Sequence, residues 1–261
     1  MHADHLYAVV VAGLALGALA VYGVRVARRG VASYDRTNAA GGSLLLSKRL
    51  VEFGYWALMP VARLCVRAGV TPDGITWASL ALGLGSGVAM AFGLVGLASL
   101  LALLSGLGDV LDGQVARLGQ RGSNAGEVLD ASVDRWMEFA FIGGMCIFYR
   151  DQIVPLVVAL LALQAAFMVS YSTAKAEAMG VDPPRGAMRR HERGVYLIAG
   201  AALSSIFSSF LEPFRPYPAL QAPLMFAALV VVATAGNGSA IRRLALTARE
   251  LRRRERGGPT S

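Results

Sequence analysis

Acidic side chains interrupt two neighbouring stretches of the sequence that are otherwise apolar. Asp109 and Asp112 lie three residues apart in the first stretch, and Asp130 and Asp134 lie four apart in the second. Either spacing places both carboxylates on one face of a helix. Four carboxylates in an apolar environment repel one another unless cations neutralise them, and ligand sets made only of oxygen suit Mg²⁺, Mn²⁺ or Ca²⁺. The pattern therefore predicts a divalent metal site built from these four residues.

The two acidic stretches can form one site only if their helices make a hairpin. Asp112 lies five residues before Arg117, and Asp130 lies four residues after Gly126. With a rise of about 1.5 Å per residue, both pairs would lie within about 15 Å of the same end of the hairpin. Two acidic faces are therefore expected to meet at one level.

Two alternatives account for the acidic residues without catalysis. In one, the carboxylates pair with arginines inside the helix bundle, for example Asp134 with Arg135 or Arg117. In the other, they line the ion pathway of a membrane cation transporter or channel. A transporter should carry its acidic residues near the middle of the membrane and show repeated or broken helices. These acidic residues lie towards one end of their stretches, and no internal repeat is evident.

The composition indicates that the elements positioning these residues cross a membrane. Hydrophobic residues make up 55% of the 261 residues and charged residues 16%, whereas a soluble domain carries roughly 25% charged residues. The mean hydropathy is +0.52. The 2 cysteines and 3 histidines argue against a disulfide scaffold, a Cys-rich zinc site and a His-rich metal site. We therefore expect an all-α integral membrane protein.

The predicted elements are one extra N-terminal transmembrane helix and a six-helix transmembrane core. The first helix is predicted over residues 6–26. Residues 43–68 mix basic and aromatic side chains, as is typical of a helix lying in the membrane interface with its aromatic side towards lipid and its basic side towards the lipid phosphates. Thr71-Pro72-Asp73 forms a turn and an N-cap. The core spans are predicted at 75–94, 95–116, 126–149, 153–171, 195–211 and 219–240. The chain would divide into the extra helix (1–30), the interfacial segment (31–74), the core (75–243) and a basic cytoplasmic tail (244–261).

The net charge of +8 follows from the expected topology. Of the 25 Lys and Arg residues, only Arg150 and Arg215 would lie at the outer end of the spans. The excess of positive charge makes the opposite end cytoplasmic. We thus expect the active site to face the cytoplasm of a bacterial-type membrane, with the N-terminus outside. Topology and anionic membrane lipid explain the basic surplus, and no nucleic-acid partner is expected.

The acidic stretches resemble the signature of the CDP-alcohol phosphatidyltransferases. The matching run is Asp109-Val-Leu-Asp112-Gly113-Gln-Val-Ala116-Arg117, then eight residues, Gly126, three residues, Asp130, three residues and Asp134. The turn Thr71-Pro72-Asp73 is similar to the family's Thr-Pro-Asn, with Asp in place of Asn as a departure. The resemblance covers the core from about residue 43 to residue 243, and the first helix lies outside it.

The resemblance implies an enzyme of phospholipid biosynthesis that joins a CDP-linked donor to an alcohol, releases CMP and uses Mg²⁺ or Mn²⁺, with two ions expected. Asp109, Asp112 and Asp130 would be metal ligands, and Asp134 would be a second-metal ligand, the general base, or both. The implied nucleotide-binding set is Thr71, Asp112, Gly113, Ala116, Arg117 and Gly126. CDP-diacylglycerol would be the lipid donor, and a homodimer is implied by the resemblance alone.

The acceptor side is marked by a basic cluster at the cytoplasmic mouth, comprising Lys175, Arg189, Arg190 and Arg193. Arginine binds phosphate bidentately, so the cluster suits a phosphorylated acceptor, although a positive-inside loop would look the same. Residues 171–178 and 190–193, with Asp134-Arg135, are similar to those of the phosphatidylinositol phosphate synthases. That resemblance implies inositol phosphate as the acceptor. A phosphatidylglycerophosphate- or phosphatidylserine-type synthase stays open, as does a CDP-amino-alcohol:diacylglycerol phosphotransferase.

Overall fold

The structure is a computed structural model that describes residues 2–29, 48–120, 122–184, 186–207 and 222–256. Within these ranges the chain forms eight α-helices and no strand, which confirms the all-α prediction. The helices are α1 (His2–Arg29), α2 (Lys48–Arg67), α3 (Pro72–Ala91), α4 (Val95–Leu118), α5 (Asn124–Phe148), α6 (Ile153–Ala178), α7 (Arg190–Phe207) and α8 (Pro223–Arg256).

Five of these helices, α1, α3, α4, α6 and α8, are long and apolar enough to cross a membrane. The other two predicted spans, α5 and α7, do not reach that apolarity. Helix α5 carries Asp130, Asp134 and Glu138, and α7 begins with Arg190 and contains Arg193. Both helices nevertheless pack inside the same bundle, because α5 contacts α3 and α6, and α7 contacts α4 and α8.

Helix α3 packs between the two helices that carry the acidic residues, α4 and α5. It packs extensively against both α4 and α5, which have little direct contact with each other. Glycine makes these close approaches possible. A Cβ atom at Gly87 would collide with the carbonyl group of Ala140 on α5, and one at Gly108 on α4 would collide with the Ser79 hydroxyl. The gap left between α4 and α5 at one end of the bundle forms the site.

Several predicted spans are shorter than the observed helices, because hydropathy identifies the part of a helix that lies in the membrane rather than its full length. Helices continue into polar sequence when their side chains are solvated or paired. Helix α6 continues to Ala178 rather than stopping at Tyr171, α7 begins at Arg190 rather than Val195, and α8 runs to Arg256 through the predicted core–tail boundary. Residues 208–211 and 219–221 of the last two predicted spans lie outside the described residues.

The interfacial segment forms the predicted helix, but its aromatic face lies against the protein. The prediction covered residues 43–68, of which 48–67 form α2 and 43–47 are not among the described residues. The ring of Tyr22 on α1 lies 5.3 Å from that of Phe53 and 5.5 Å from that of Trp56. We expected these aromatic residues of α2 to face lipid, whereas they join α2 to α1.

The opposite ends of the bundle carry different features. At the end that holds the acidic residues, Arg254 at the end of α8 donates to the carbonyl of Gly180, in the α6–α7 connection. At the other end, the first turn of α1 contacts Gly96 at the start of α4. This arrangement is the one that the topology prediction requires, with the N-terminus and the acidic cluster at opposite ends.

Candidate active site

Three carboxylates converge where the end of α4 faces the start of α5. Asp109, Asp112 and Asp130 each offer an oxygen, and these atoms all lie within 4.8 Å of one another. Asp112 is buried, and its Oδ2 accepts a hydrogen bond of 2.6 Å from the Thr76 hydroxyl on α3. The structure thus brings together three of the four carboxylates that were predicted to meet. A compact set of carboxylate oxygens, with one ligand oriented by a hydroxyl, fits a hard divalent cation.

The fourth predicted ligand, Asp134, lies beside this group but is paired with an arginine. Its Oδ1 lies 2.6 Å from Nη2 of Arg190, whose Nη1 donates to Oδ2 of Asp109 at 2.9 Å. Arg190, at the start of α7, thus bridges two of the predicted ligands. The sequence suggested Arg117 or Arg135 as a partner for Asp134, and placed Arg190 on the acceptor phosphate instead. The structure brings Arg190 to the acidic cluster itself.

A polar cavity of about 850 Å³ opens beside the carboxylates, between the start of α3, the end of α4 and the start of α5. Four of the predicted nucleotide-binding residues, besides Asp112, line it: Gly113, Ala116, Arg117 and Gly126. Thr71 does not line it, because its hydroxyl accepts from the backbone N–H of Gly74 as the N-cap of α3. Thr76 on α3 is a site residue that sequence reasoning missed, and Asp73, which the sequence analysis named only as part of the N-cap turn, also lines the cavity.

Helix α2 supports the rim of this polar cavity. The guanidinium of Arg117 lies over the Tyr55 ring, 5.4 Å from its centroid. The side-chain amide of Gln114 donates to the Tyr55 carbonyl at 3.1 Å. Both contacts anchor α2 to the last turns of α4, so the interfacial helix restricts the conformations open to a predicted nucleotide-binding arginine.

The predicted acceptor cluster separates into residues with different surroundings. Arg193 is fully buried, and its Nε and Nη2 donate to the two carboxylate oxygens of Glu138 at 2.7 and 2.8 Å. Its Nη1 donates to the carbonyl of Met188. This pairing favours a positioning role for Arg193 over the predicted phosphate contact. Lys175 is exposed, and the backbone N–H of Arg189 donates to Glu192 at 3.1 Å.

An arginine that the prediction placed at the border of the tail lies beside this cluster. Arg243 on α8 is buried, and its Nη1 donates to the Thr173 hydroxyl at 2.9 Å, two residues before Lys175. Its Nη2 donates to the carbonyl of Ala187 at 3.3 Å. The sequence signal was an arginine at the end of an apolar span, but only the packing of α8 against α6 shows that it points inwards.

A second cavity, of about 270 Å³, extends from the acidic cluster between α4, α5 and α7. Its polar end is formed by Asp109, Glu138, Arg190 and His191, and the rest of its lining is mostly apolar. This cavity could not be predicted from the sequence, because it depends on how α7 crosses α4. The carboxylates therefore lie between a polar cavity and an apolar one.

Comparison with known proteins identifies the family. The CDP-alcohol phosphatidyltransferase family model matches residues 69–236, which is more than half of the chain. The chain belongs to the CDP-alcohol phosphatidyltransferase family. It is therefore an enzyme, and the alternative of a membrane cation transporter or channel is rejected. The matched region of this phosphatidyltransferase contains α3 to α7 and both acidic stretches, whereas α1 and α2 precede it.

Several proteins similar to this phosphatidyltransferase are named phosphatidylinositol phosphate synthases. The phosphatidylinositol phosphate synthase of Mycolicibacterium smegmatis is 34% identical over 163 residues, covering 61% of this chain and 71% of that protein. The crystal structure of the Mycobacterium tuberculosis phosphatidylinositol phosphate synthase with CDP-DAG bound has a TM-score of 0.62 at 27% identity, covering 72% of this chain and 92% of that one. The same synthase in complex with manganese and citrate gives a TM-score of 0.63 at 27% identity, covering 72% and 88%.

Proposed function

We propose that this phosphatidyltransferase transfers the phosphatidyl group of CDP-diacylglycerol to an inositol phosphate and releases CMP. The observation that carries the proposal is the position of the carboxylates between two cavities. Asp112 and Asp130 line the polar cavity, and Asp109 lines the apolar one. A donor with a nucleotide on one side of its diphosphate and a diacylglycerol on the other suits that arrangement, with the diphosphate at the carboxylates.

Asp109, Asp112 and Asp130 would hold a divalent cation, Mg²⁺ or Mn²⁺, and Asp134 would hold a second. When bound, such ions neutralise the charge of a diphosphate and of its leaving group. The hydrogen bond from the Thr76 hydroxyl orients the Asp112 carboxylate towards the other metal-binding carboxylates. Gly113, with the small Ala116 and Gly126, leaves the polar cavity wide enough for the cytidine.

Asp134 is the proposed general base. The acceptor hydroxyl attacks the phosphorus that carries the diacylglycerol, a new O–P bond forms, and the bond from that phosphorus to the bridging oxygen of CMP breaks. The hydroxyl proton passes to the Asp134 carboxylate, and CMP leaves with the bridging oxygen. A positioned carboxylate accelerates such a transfer by roughly 10²–10⁴-fold. The ion pair with Arg190 keeps Asp134 at the edge of the carboxylate group, where an acceptor would approach.

The phosphate of the acceptor is proposed to bind among Lys175, Arg189, Arg190 and Arg243. Arg190 already lies at the carboxylates, and Arg243 points inwards on the α6 side. Relatives named phosphatidylinositol phosphate synthases support the choice of inositol phosphate. We also propose that the site faces the cytoplasm and that the enzyme is a homodimer, the first from the distribution of basic residues and the second from family resemblance.

The test is a radiolabelled CDP-diacylglycerol assay with a panel of acceptors: inositol phosphate, unphosphorylated inositol, glycerol phosphate and serine. We expect a lipid product with inositol phosphate that depends on a divalent cation and is lost in Asp112→Asn. Product from glycerol phosphate or serine, with none from inositol phosphate, would contradict the proposed acceptor. CDP-diacylglycerol turnover with none of the four acceptors would contradict the proposed function as a whole.

A further inference from the structure

Helix α1 precedes the region shared with the family, yet it is built into the bundle by its first turn. The carboxylate oxygens of Asp4 accept from the backbone N–H groups of Gly96 and Leu97, both at 2.9 Å. These are among the first N–H groups of α4, which have no partner within a helix, and the N-cap residue Leu94 makes no side-chain bond to them. Asp4 therefore caps α4 from another helix.

The same turn of α1 also contacts α7. The Ser205 hydroxyl donates to Asp4 at 3.1 Å, and Nδ1 of His5 lies 2.6 Å from the Ser205 carbonyl oxygen. The next turns of α1 bury Ala8 and Val11. Hence α1 bridges α4 and α7 at the outer end of the bundle. These are two of the helices between which the apolar cavity extends from the carboxylates.

The C-terminal part of α1 contacts α2, and most of the middle of α1 is exposed. Tyr22 contacts the rings of Phe53 and Trp56, and the Arg25 guanidinium lies over Trp56, 5.5 Å from the ring centroid. Between these attachments, residues 13–17 and 19–21 are exposed. Helix α1 is thus attached at both ends, and its inner end lies on the α2 side of α4 rather than over the seam between α4 and α7.

We propose that the outer end of α1 closes the seam between α4 and α7 and limits the length of the donor acyl chain that the apolar cavity accepts. This inference rests on the proposed function. The rise along α4 from Asp109 to Gly96 is about 20 Å, comparable to a common extended acyl chain. The deepest residues that line the cavity, such as Ala102 and Ile198, leave about 10 Å before the first turn of α1. A chain that runs further along the seam would meet Asp4, Ala8 and Val11.

The experiment compares CDP-diacylglycerols of short, common and very long acyl chains in competition, for the wild type and Asp4→Ala. Asp4→Ala removes the hydrogen bonds from Asp4 to α4 and α7 and loosens the outer end of α1, so the ratio of kcat/KM for the very long to the common chain should rise. Because a lipid tail is already in an apolar phase, the gain is the relief of a steric limit, and the ratio should rise towards one. Asp151→Ala is the matched control, because Asp151 is an exposed aspartate at the same end whose ion-pair partner is Arg150; its chain-length profile should match that of the wild type.

A second measurement does not depend on the stability of the Asp4 variant. A donor whose acyl chain ends in a photoreactive group is irradiated with the full-length wild-type protein, and the labelled peptide is identified. Label on the first turns of α1 supports the proposal. Label on α4 or α7 without α1, or a chain-length ratio unchanged in Asp4→Ala, overturns it. If the wild type does not turn over a donor of any chain length, the proposed function fails instead, so the two failures are distinguishable.

Discussion

The ion pair between Arg193 and Glu138 gives the sharpest prediction about how this site is held together. The Arg193 guanidinium is fully buried, and the Glu138 side chain is only 11% exposed. The two groups make a bidentate pair with N–O distances of 2.7 and 2.8 Å. Arg193→Met would leave the Glu138 carboxylate buried without its partner, which typically costs about 3–5 kcal/mol. The Met188 carbonyl would also lose a donor, at a cost of about 1 kcal/mol.

The assay is thermal unfolding of the detergent-purified protein, followed by acceptor kinetics at a temperature where each variant is folded. Arg193→Met should lower the melting temperature strongly. The double variant Glu138→Gln/Arg193→Met removes both charges, so it should regain much of the loss. Arg252→Met is the matched control, because Arg252 is an exposed arginine on α8; it should change stability little.

The opposite pattern would refute this account of Arg193. An Arg193→Met variant as stable as the wild type, with an acceptor KM raised tenfold or more and no rescue by Glu138→Gln, would mean that Arg193 contacts the acceptor phosphate directly. The buried pair would then open when substrate binds. The original sequence prediction for this residue would be the better one.

Three further predictions concern the metal, the base and the topology. Excess chelator should abolish CMP release and Mg²⁺ or Mn²⁺ should restore it; full activity in chelator would remove the metal from the mechanism. Asp134→Asn should lower turnover by at least about 10²-fold, while binding of Mn²⁺ at Asp109, Asp112 and Asp130, followed by magnetic resonance, persists; near-normal turnover would reject Asp134 as the base. Cysteines at Gln120 and Arg253 should react with impermeant reagent from the cytoplasmic side only, and one at Asp151 from the outside only; equal labelling of Gln120 and Asp151 from one side would exclude the topology.

The acidic group could be predicted from the sequence because local spacing determines it. Asp109 and Asp112 share a helix face whatever the rest of the fold does, and a short connection returns the chain so that Asp130 faces them. The cap at Thr71 is equally local. In contrast, Arg190 reaches Asp109 and Asp134 only because α7 crosses α4 and α5. No pattern within α7 specifies that crossing.

The burial of individual charged residues could not be predicted from the sequence either. Arg193 and Arg190 are three residues apart and look alike in a basic run, yet one is fully buried against Glu138 and the other lies at the carboxylates. A positive-inside count treats both as cytoplasmic charge. The cap that Asp4 provides to α4 is similarly non-local, since it joins groups more than ninety residues apart in the chain.

The most direct test of the central claim measures whether a metal held by Asp109, Asp112 and Asp130 contacts the diphosphate of the donor. Phosphorus resonance spectra of CDP-diacylglycerol bound to the enzyme would be recorded with and without Mn²⁺. The account predicts strong paramagnetic broadening of both diphosphate signals in the wild type and its loss in Asp112→Asn/Asp130→Asn, at a donor concentration high enough to fill the weakened site of the variant. Equal broadening in the wild type and the double variant would contradict the account, because the metal would then lie elsewhere.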